Sequence, residues 1–257
     1  MNYYIASHSD VGIVKETNQD SCCAYVAETL NGKILFAVMC DGMGGLAKGE
    51  VASATLIRAF FEWFKAELPS LLSTQDPMEE IRYSWDRMIK VQNQNIAEYG
   101  KNHNLQLGST ITLFLCLENG KYLIGHVGDS RAYKITEDKL EILTTDQTVV
   151  ANEIRLGKLT PEQAKTDPRR NVLLQCVGAS RIVEPDYITG EVKPNECYML
   201  CSDGFRHVIN EDEIHEAFKP SKNKDEAAMK SNIVELIELN KFRHENDNIT
   251  SVLIKTM

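Results

Sequence analysis

At 257 residues, with 43% hydrophobic and 25% charged positions, the chain is long enough for one large core and ordinary in composition for a globular protein. Its 28 Lys+Arg against 37 Asp+Glu leave a net charge of −9, which disfavours nucleic acid or an anionic membrane surface as the main partner, because phosphate binding calls for a basic footprint. No apolar run reaches transmembrane length and the opening MNYYIASHSD lacks a secretory pattern, so the expectation is a cytoplasmic protein with no membrane association.

Seven cysteines, at 22, 23, 40, 116, 176, 197 and 201, form no CxxC pair. Cys23, Cys40, Cys116 and Cys201 lie in apolar, strand-like runs, which suits free buried thiols better than a disulfide framework or a zinc site.

Taken in order, residues 3–9 read as a first strand and 21–26 as a second. Asn31-Gly32 reads as a hairpin turn, because both residues tolerate positive φ. The apolar run 34–40 then reads as a buried strand that ends abruptly in Asp41-Gly42-Met43-Gly44-Gly45. From Glu50 the spacing turns helical, with Val51, Ala54, Ile57, Phe61, Phe64 and Leu68 at steps of three and four before Pro69. A second helix is expected over about 78–99, carrying Ile81, Trp85, Met88, Ile89 and Ile96 on one face and stopped by Gly100. Strands at 110–117 and 122–127, joined by Glu118-Asn119-Gly120-Lys121, make the clearest hairpin, and 131–135 and 140–143 continue the meander.

Residues 146–171 are polar, charge-rich and helical, with Thr160-Pro161-Glu162-Gln163 as a capping box, and read as a mobile excursion on the sheet edge. A strand at 196–201, two helices with Asn210 and Glu213 framing the first cap, and a strand at 249–255 close the chain. With no repeat and no linker, 1–257 reads as a single domain. Strands, a helix pair, many strands, a second helix pair and a last strand suit segregated α+β layers: two antiparallel β-sheets back to back, each flanked by an antiparallel helix pair.

Five aspartates, Asp20, Asp41, Asp129, Asp203 and Asp247, each border a strand, and each neighbours Gly, Ser or Asn. A carboxylate at a strand end followed by bare glycine backbone offers a hard divalent ion side-chain and carbonyl oxygens together. Gathered at one sheet edge, such groups repel one another unless cations neutralise them. If they do not converge, each is an ordinary turn residue. There is no GxSxG elbow, HExxH, P-loop or Cys-x5-Arg frame, so covalent catalysis has no good candidate.

The blocks SDVGIVKETNQDS (9–21), FAVMCDGMGG (36–45), LGST (107–110), GHVGDSRAY (125–133), RNVLLQCVG (170–178), LCSDGF (200–205) and DNITSVLI (247–254) run through the whole chain. In order and spacing they resemble the bacterial branch of the metal-dependent Ser/Thr protein phosphatases, the PPM or type 2C family. The resemblance implies a four-layer αββα sandwich with a two-ion Mn²⁺ or Mg²⁺ centre at one end and a flap over 146–171. It implies that Asp41 bridges both ions, that Asp203 and Asp247 complete one shell, and that the Gly42 carbonyl binds the other ion. It further implies that Asp20 holds ion-bound waters and that Asp129 with Asp203 forms a third, weaker metal site. The implied catalytic set is Asp20, Asp41, Asp203 and Asp247, acting through a water that attacks phosphorus with no phosphoenzyme. Phosphorylated proteins are the implied substrates and an opposing Ser/Thr kinase the implied partner; the chain is expected to be a monomer.

The sequence also departs from that pattern. Lys15 stands where the family usually has a phosphate-gripping Arg, keeping the charge but losing the bidentate fork. Gln19 replaces the family's Glu, Met43 replaces the histidine of many eukaryotic members, and Gln147 and Asp167 replace flap histidines. His126 reads as a satisfied core histidine, Trp63 and Trp85 as helix-face or surface aromatics, Arg169-Arg170 as a solvated pair, and Ser109-Thr110 as strand-start hydrogen bonding. Two competing readings follow: a catalytically degenerate phosphoprotein-binding or sensing module, motivated by Lys15 and the altered flap, and a small-molecule phosphatase.

Overall fold

The computed structural model describes residues 1–30, 32–44 and 48–257. Three strands open the chain, β1 (Tyr3–Asp10), β2 (Asp20–Thr29) and β3 (Gly32–Gly44), followed by α1 (Gly49–Ala66), the single turn α2 (Leu68–Leu71) and α3 (Pro77–His103). Five strands come next: β4 (Leu107–Ser109), β5 (Ile111–Cys116), β6 (Lys121–Val127), β7 (Arg131–Ile135) and β8 (Leu140–Ile142). Two short helices, α4 (Val149–Arg155) and α5 (Pro161–Thr166), lead to β9 (Asp186–Glu191) and β10 (Cys197–Cys201). After the 3₁₀ turn Asp203–Phe205 come α6 (Glu211–Phe218), α7 (Glu226–Phe242) and β11 (Ile249–Thr256).

Among the described residues every strand pairing is antiparallel, and the strands form two sheets, ordered β1-β11-β10-β7-β8 and β2-β3-β5-β6-β9, with β4 on the end of β3. The period-2 alternation of each central strand sorts its side chains into two layers. In β3, Leu35, Ala37 and Met39 face the other sheet, joining Phe114, Tyr198, Leu200, Val252 and Ile254. Ile34, Phe36, Val38 and Cys40 face the opposite way, onto α1 and α3. A third cluster packs Met199, Cys201 and Leu253 against Ile214, Phe218, Ile233 and Ile237 of α6 and α7. Three apolar layers between four structural layers are the expected αββα sandwich.

Some elements differ from expectation. The buried face of α1 is Ala52, Leu56, Phe60, Trp63 and Phe64, while Val51, Ala54, Ile57 and Phe61 are only partly covered. Trp63 and Trp85 are core residues, their rings 5.6 Å apart at 65°, with Trp63 Nε1 donating to Ser84 Oγ at 2.8 Å. Gly100 lies within α3, which ends instead at Asn104 in a left-handed conformation. A Cβ at Gly100 would come 2.7 Å from the Leu105 carbonyl oxygen, so close packing against the returning chain requires glycine there. The edge strand β9 was not anticipated. The Asn31-Gly32 turn lies partly outside the described residues.

The 146–171 excursion carries α4 and α5, and the Thr160–Gln163 capping box forms as expected. Arg169 is not merely solvated: it pairs with Glu153 and Asp167, each at 2.9 Å, tying α4 to the far end of the segment. All seven cysteines are free. Burial, with the charges of Asp20 and Cys22 as lesser causes, pushes the Cys22 and Cys23 thiols up to about 11 and about 12, which leaves both unreactive.

Candidate active site

All five aspartates emerge at one end of the sandwich. Asp20 and Asp41 are direct cross-strand partners in the β2–β3 ladder. In the other sheet Arg131 pairs with Cys201, so continuing that register by two residues sets Asp129 opposite Asp203. Asp247 arrives through β11, where Cys201 pairs with Ser251. The Asn248 side chain fixes that turn by accepting from Gln19 N–H at 2.9 Å and donating to the Val11 and Thr17 carbonyls at 2.9 and 3.2 Å.

Asp41 is clamped through its backbone, while its carboxyl group meets the Asp203 side chain. Its N–H donates to Thr110 Oγ1 at 2.9 Å, and its carbonyl accepts from Thr110 N–H at 2.9 Å and Ser109 Oγ at 3.0 Å. Ser109-Thr110 is therefore a clamp on the Asp41 peptide, which leaves the carboxylate free to face its neighbours. Gly42 follows in a place no side chain fits, since a Cβ would meet the Gly49 and Gln19 carbonyl oxygens at 2.3 and 2.5 Å. Oriented so that both ends are satisfied, the Gln19 amide donates to the Gly42 carbonyl (3.3 Å) and accepts from Gly49 N–H (3.1 Å). The Gly42 carbonyl keeps its second lone pair for another partner.

Electrostatically these groups form one cluster. Burial pushes the Asp20 carboxyl up to about 7, with Asp203 and Asp247 adding to the rise and the nearby Thr250 and Ser202 hydroxyls opposing it. Burial followed by the charges of Asp20, Asp203, Asp129 and Asp247 holds Asp41 well above the carboxylate range. Asp129 is likewise pushed up to about 7 by burial and Asp203, against the pull of Arg206. Asp203 moves the other way: burial works against its charge, but the His207 bond and the charges of His207 and Arg206 hold it below the usual range.

Three cations touch the cluster. Lys15 Nζ lies 2.9 Å from Asp247 Oδ1, His207 Nε2 lies 3.3 Å from Asp203 Oδ2, and Arg206 Nη2 donates to the Asp129 carbonyl at 2.8 Å. Glu245, 3.5 Å from His207 Nδ1, supports the imidazolium, and with Asp203 it outweighs burial to push His207 up to about 10. As the side chains stand, no three His, Cys, Asp or Glu among the described residues close on one point tightly enough to hold an ion. Two carboxylate oxygens nevertheless remain buried without a partner, Asp20 Oδ2 and Asp203 Oδ1. Buried anionic oxygens of this kind demand a cation or a proton. The raised Asp20 and Asp41 carboxyls, the orphaned Asp20 and Asp203 oxygens and a bare Gly42 backbone together fit a hard divalent ion at the Asp20–Asp41–Asp203–Asp247 end.

Sequence reasoning missed Arg206, His207 and Glu245. It also missed the work of Gln147, whose side chain accepts from Gly128 N–H and donates to Asp186, both at 2.8 Å, fixing the start of the excursion beside the Asp129 turn. His126 is buried as expected, with Nδ1 3.0 Å from Thr112 Oγ1, but its Nε2 has no partner among the described residues.

Comparison with known proteins gives a consistent answer. A Protein phosphatase 2C family model matches residues 6–238. The chain is 30% identical to the serine/threonine phosphatase stp of Listeria monocytogenes over 96% of this chain and 93% of that one. The serine/threonine phosphatase of S. agalactiae superposes with a TM-score of 0.83 at 26% identity, covering all of both chains. The catalytic domain of the phosphatase PstP, solved with two manganese ions, superposes at 0.77 and 28% identity over 98% of this chain and 97% of that one. With this fold, these blocks and matches along nearly its whole length, the chain belongs to the protein phosphatase 2C family.

Proposed function

We infer that this protein is a metal-dependent Ser/Thr protein phosphatase that takes two Mn²⁺ or Mg²⁺ ions and hydrolyses phosphoSer and phosphoThr by direct attack of water. The observation that carries the reading is the convergence of Asp20, Asp41, Asp203 and Asp247 on one sheet end, with two carboxylate oxygens buried and unpartnered. Asp41, Asp203, Asp247 and the Gly42 carbonyl are the groups that would hold the ions, and Asp20 would hold water beside them. When bound, divalent ions supply the Lewis acidity and positive charge that water attack on a phosphate monoester requires.

The protein's own contribution is placement and protons. The Ser109-Thr110 clamp fixes the Asp41 peptide, and the Asn248 bonds fix the approach of Asp247. Lys15, 39% exposed beside Asp247, is positioned to move from that carboxylate to a substrate phosphoryl group. Asp41 and Asp20 would have to give up protons for ions to bind, because burial and mutual repulsion, which a cation relieves, raise both carboxyls. No helix is long and apolar enough to cross a membrane among the described residues. A single catalytic domain acting as a monomer in the cytoplasm, opposite a Ser/Thr kinase, completes the proposal.

Purified protein supplied with Mn²⁺ should release phosphate from phosphoSer and phosphoThr peptides in preference to free phosphometabolites, and EDTA should stop the reaction. Turnover that survives complete chelation sinks the proposal. One observation favours a second reading, a phosphoprotein-binding module: Lys15 and His207 already pair with Asp247 and Asp203, and no ion shell is closed among the described residues. Calorimetry separates the two, since a module binds phosphopeptide tightly without Mn²⁺ and does not turn over with it.

A further inference from the structure

The acidic cluster is not neutralised evenly. Arg206, directly after the 3₁₀ turn Asp203–Phe205, sends its guanidinium to the Asp129 side. Nη2 donates to the Asp129 carbonyl at 2.8 Å and lies 4.0 Å from Asp129 Oδ2 and 3.3 Å from Asp146 Oδ2. Asp146 is already gripped by both arms of Arg131, at 2.7 and 2.8 Å, whereas Arg206 is the one cation among the described residues within 4.0 Å of the Asp129 carboxylate. Asp129 is only 6% exposed and the Arg206 side chain 13%, so water does little to screen the pair. A guanidinium also keeps its charge at any working pH.

Asp203 is divided. Its Oδ2 is the oxygen facing His207, and its buried Oδ1 is without a partner. An ion lying between Asp129 and Asp203 could reach the open Asp203 Oδ1, but it would have to stand against the Arg206 charge on the Asp129 side. With the Arg206 guanidinium in place the Asp129 side does not suit a divalent ion, whereas the Asp20–Asp41–Asp203–Asp247 end fits one.

We propose that Arg206 is the resident cation of Asp129, taking the place that the family resemblance assigns to a third divalent ion, so that this protein takes two ions rather than three. The inference rests on the metal-dependent reading of the site, and a count of bound Mn²⁺ separates the two. Mn²⁺ alone is titrated into the full chain to millimolar concentration, with free ion followed by electron paramagnetic resonance and folding checked by circular dichroism. The wild type is expected to take two ions, and Asp129→Asn to leave that number unchanged. Arg206→Ser is expected to take three, returning to two when combined with Asp129→Asn, whereas Arg206→Lys stays at two.

Three ions in the wild type, one of them lost in Asp129→Asn, would overturn the proposal. So would a folded Arg206→Ser protein that still takes two. Should Arg206→Ser fail to fold, the comparison of wild type with Asp129→Asn decides alone. A wild type that takes no Mn²⁺ removes the functional reading, and this inference with it.

Discussion

The middle and the end of the space between the two sheets are built on the same strands and behave in opposite ways. Midway, Leu35, Ala37 and Met39 of β3 meet Phe114, Tyr198 and Val252 in a fully apolar layer. Two residues further along the same inward-facing series stands Asp41, with Asp20 paired across from it after Cys22 and Ala24 of β2. The backbone pattern continues unbroken while the side chains change from water-excluding to cation-demanding. A rigid apolar layer thus brings close together carboxylates that would otherwise separate. The middle stabilises the fold, and that stability holds the end in an arrangement costly without positive charge.

The sharpest way to break this comparison is Asp41→Asn. The substitution keeps the backbone clamp from Ser109 and Thr110 but removes the charge that Asp20, Asp203, Asp129 and Asp247 all oppose. Phosphatase activity with Mn²⁺ should fall by on the order of 10²-fold or more, while the metal-free protein melts at a higher temperature. A variant that loses both activity and stability would mean that the carboxylate holds the fold together rather than straining it.

The converse change is made in the middle. Phe114 is fully buried against Tyr122 and Tyr198, at ring distances of 5.3 and 5.2 Å. Phe114→Ala should cost about 3–5 kcal/mol in urea unfolding, through lost burial and a cavity. Mn²⁺ affinity of the still-folded fraction should change little, because the ring lies in the apolar layer between the sheets, against Tyr122 and Tyr198.

The sequence shows the middle more plainly than the end. The run 34–40 and the order of the aspartates announce both β3 and the acid set, because period-2 alternation and strand-end carboxylates are local signals. In α1 apolar residues lie on most sides, so spacing alone does not single out the buried Leu56–Phe60–Trp63 face. Strand β9 is half-exposed at a sheet edge and lacks a clean alternation. Arg206 carries no local mark at all, since its partners Asp129 and Asp146 lie 77 and 60 residues away in the chain. Which cation answers which carboxylate is decided by tertiary packing.

A pH series without metal sharpens the contrast further. Asp20 and Asp129 shift from 3.8 to about 7 on folding, and Asp41 moves in the same direction. Between those values the native state holds protons that the unfolded chain has released. The stabilising contribution is therefore complete below 3.8 and is lost as pH rises through about 7. Asp203 acts oppositely, but its window lies below 3.8, and that of His207 lies between 6.5 and about 10. The metal-free melting temperature should accordingly fall from weakly acid to neutral pH, and Mn²⁺ should reverse the trend. A profile that rises across this interval without metal would show that the carboxylates are not mutually strained.

The smallest expected effect concerns the rim of the cleft. Lys15 pairs with Asp247 at 2.9 Å while both side chains are more than a third exposed, so solvent screens the pair and a phosphoryl group can compete for the ammonium. Lys15→Arg would give that phosphate a planar fork in place of a point charge. One additional charge-assisted hydrogen bond of about 1 kcal/mol corresponds to a KM lower by roughly fivefold, with kcat nearly unchanged. Steady-state kinetics on a phosphopeptide, paired with a Mn²⁺ titration, distinguish the two possible partners of the side chain. If KM is unmoved and Mn²⁺ affinity shifts instead, Lys15 belongs to Asp247 and regulates the metal end of the cleft, not the substrate.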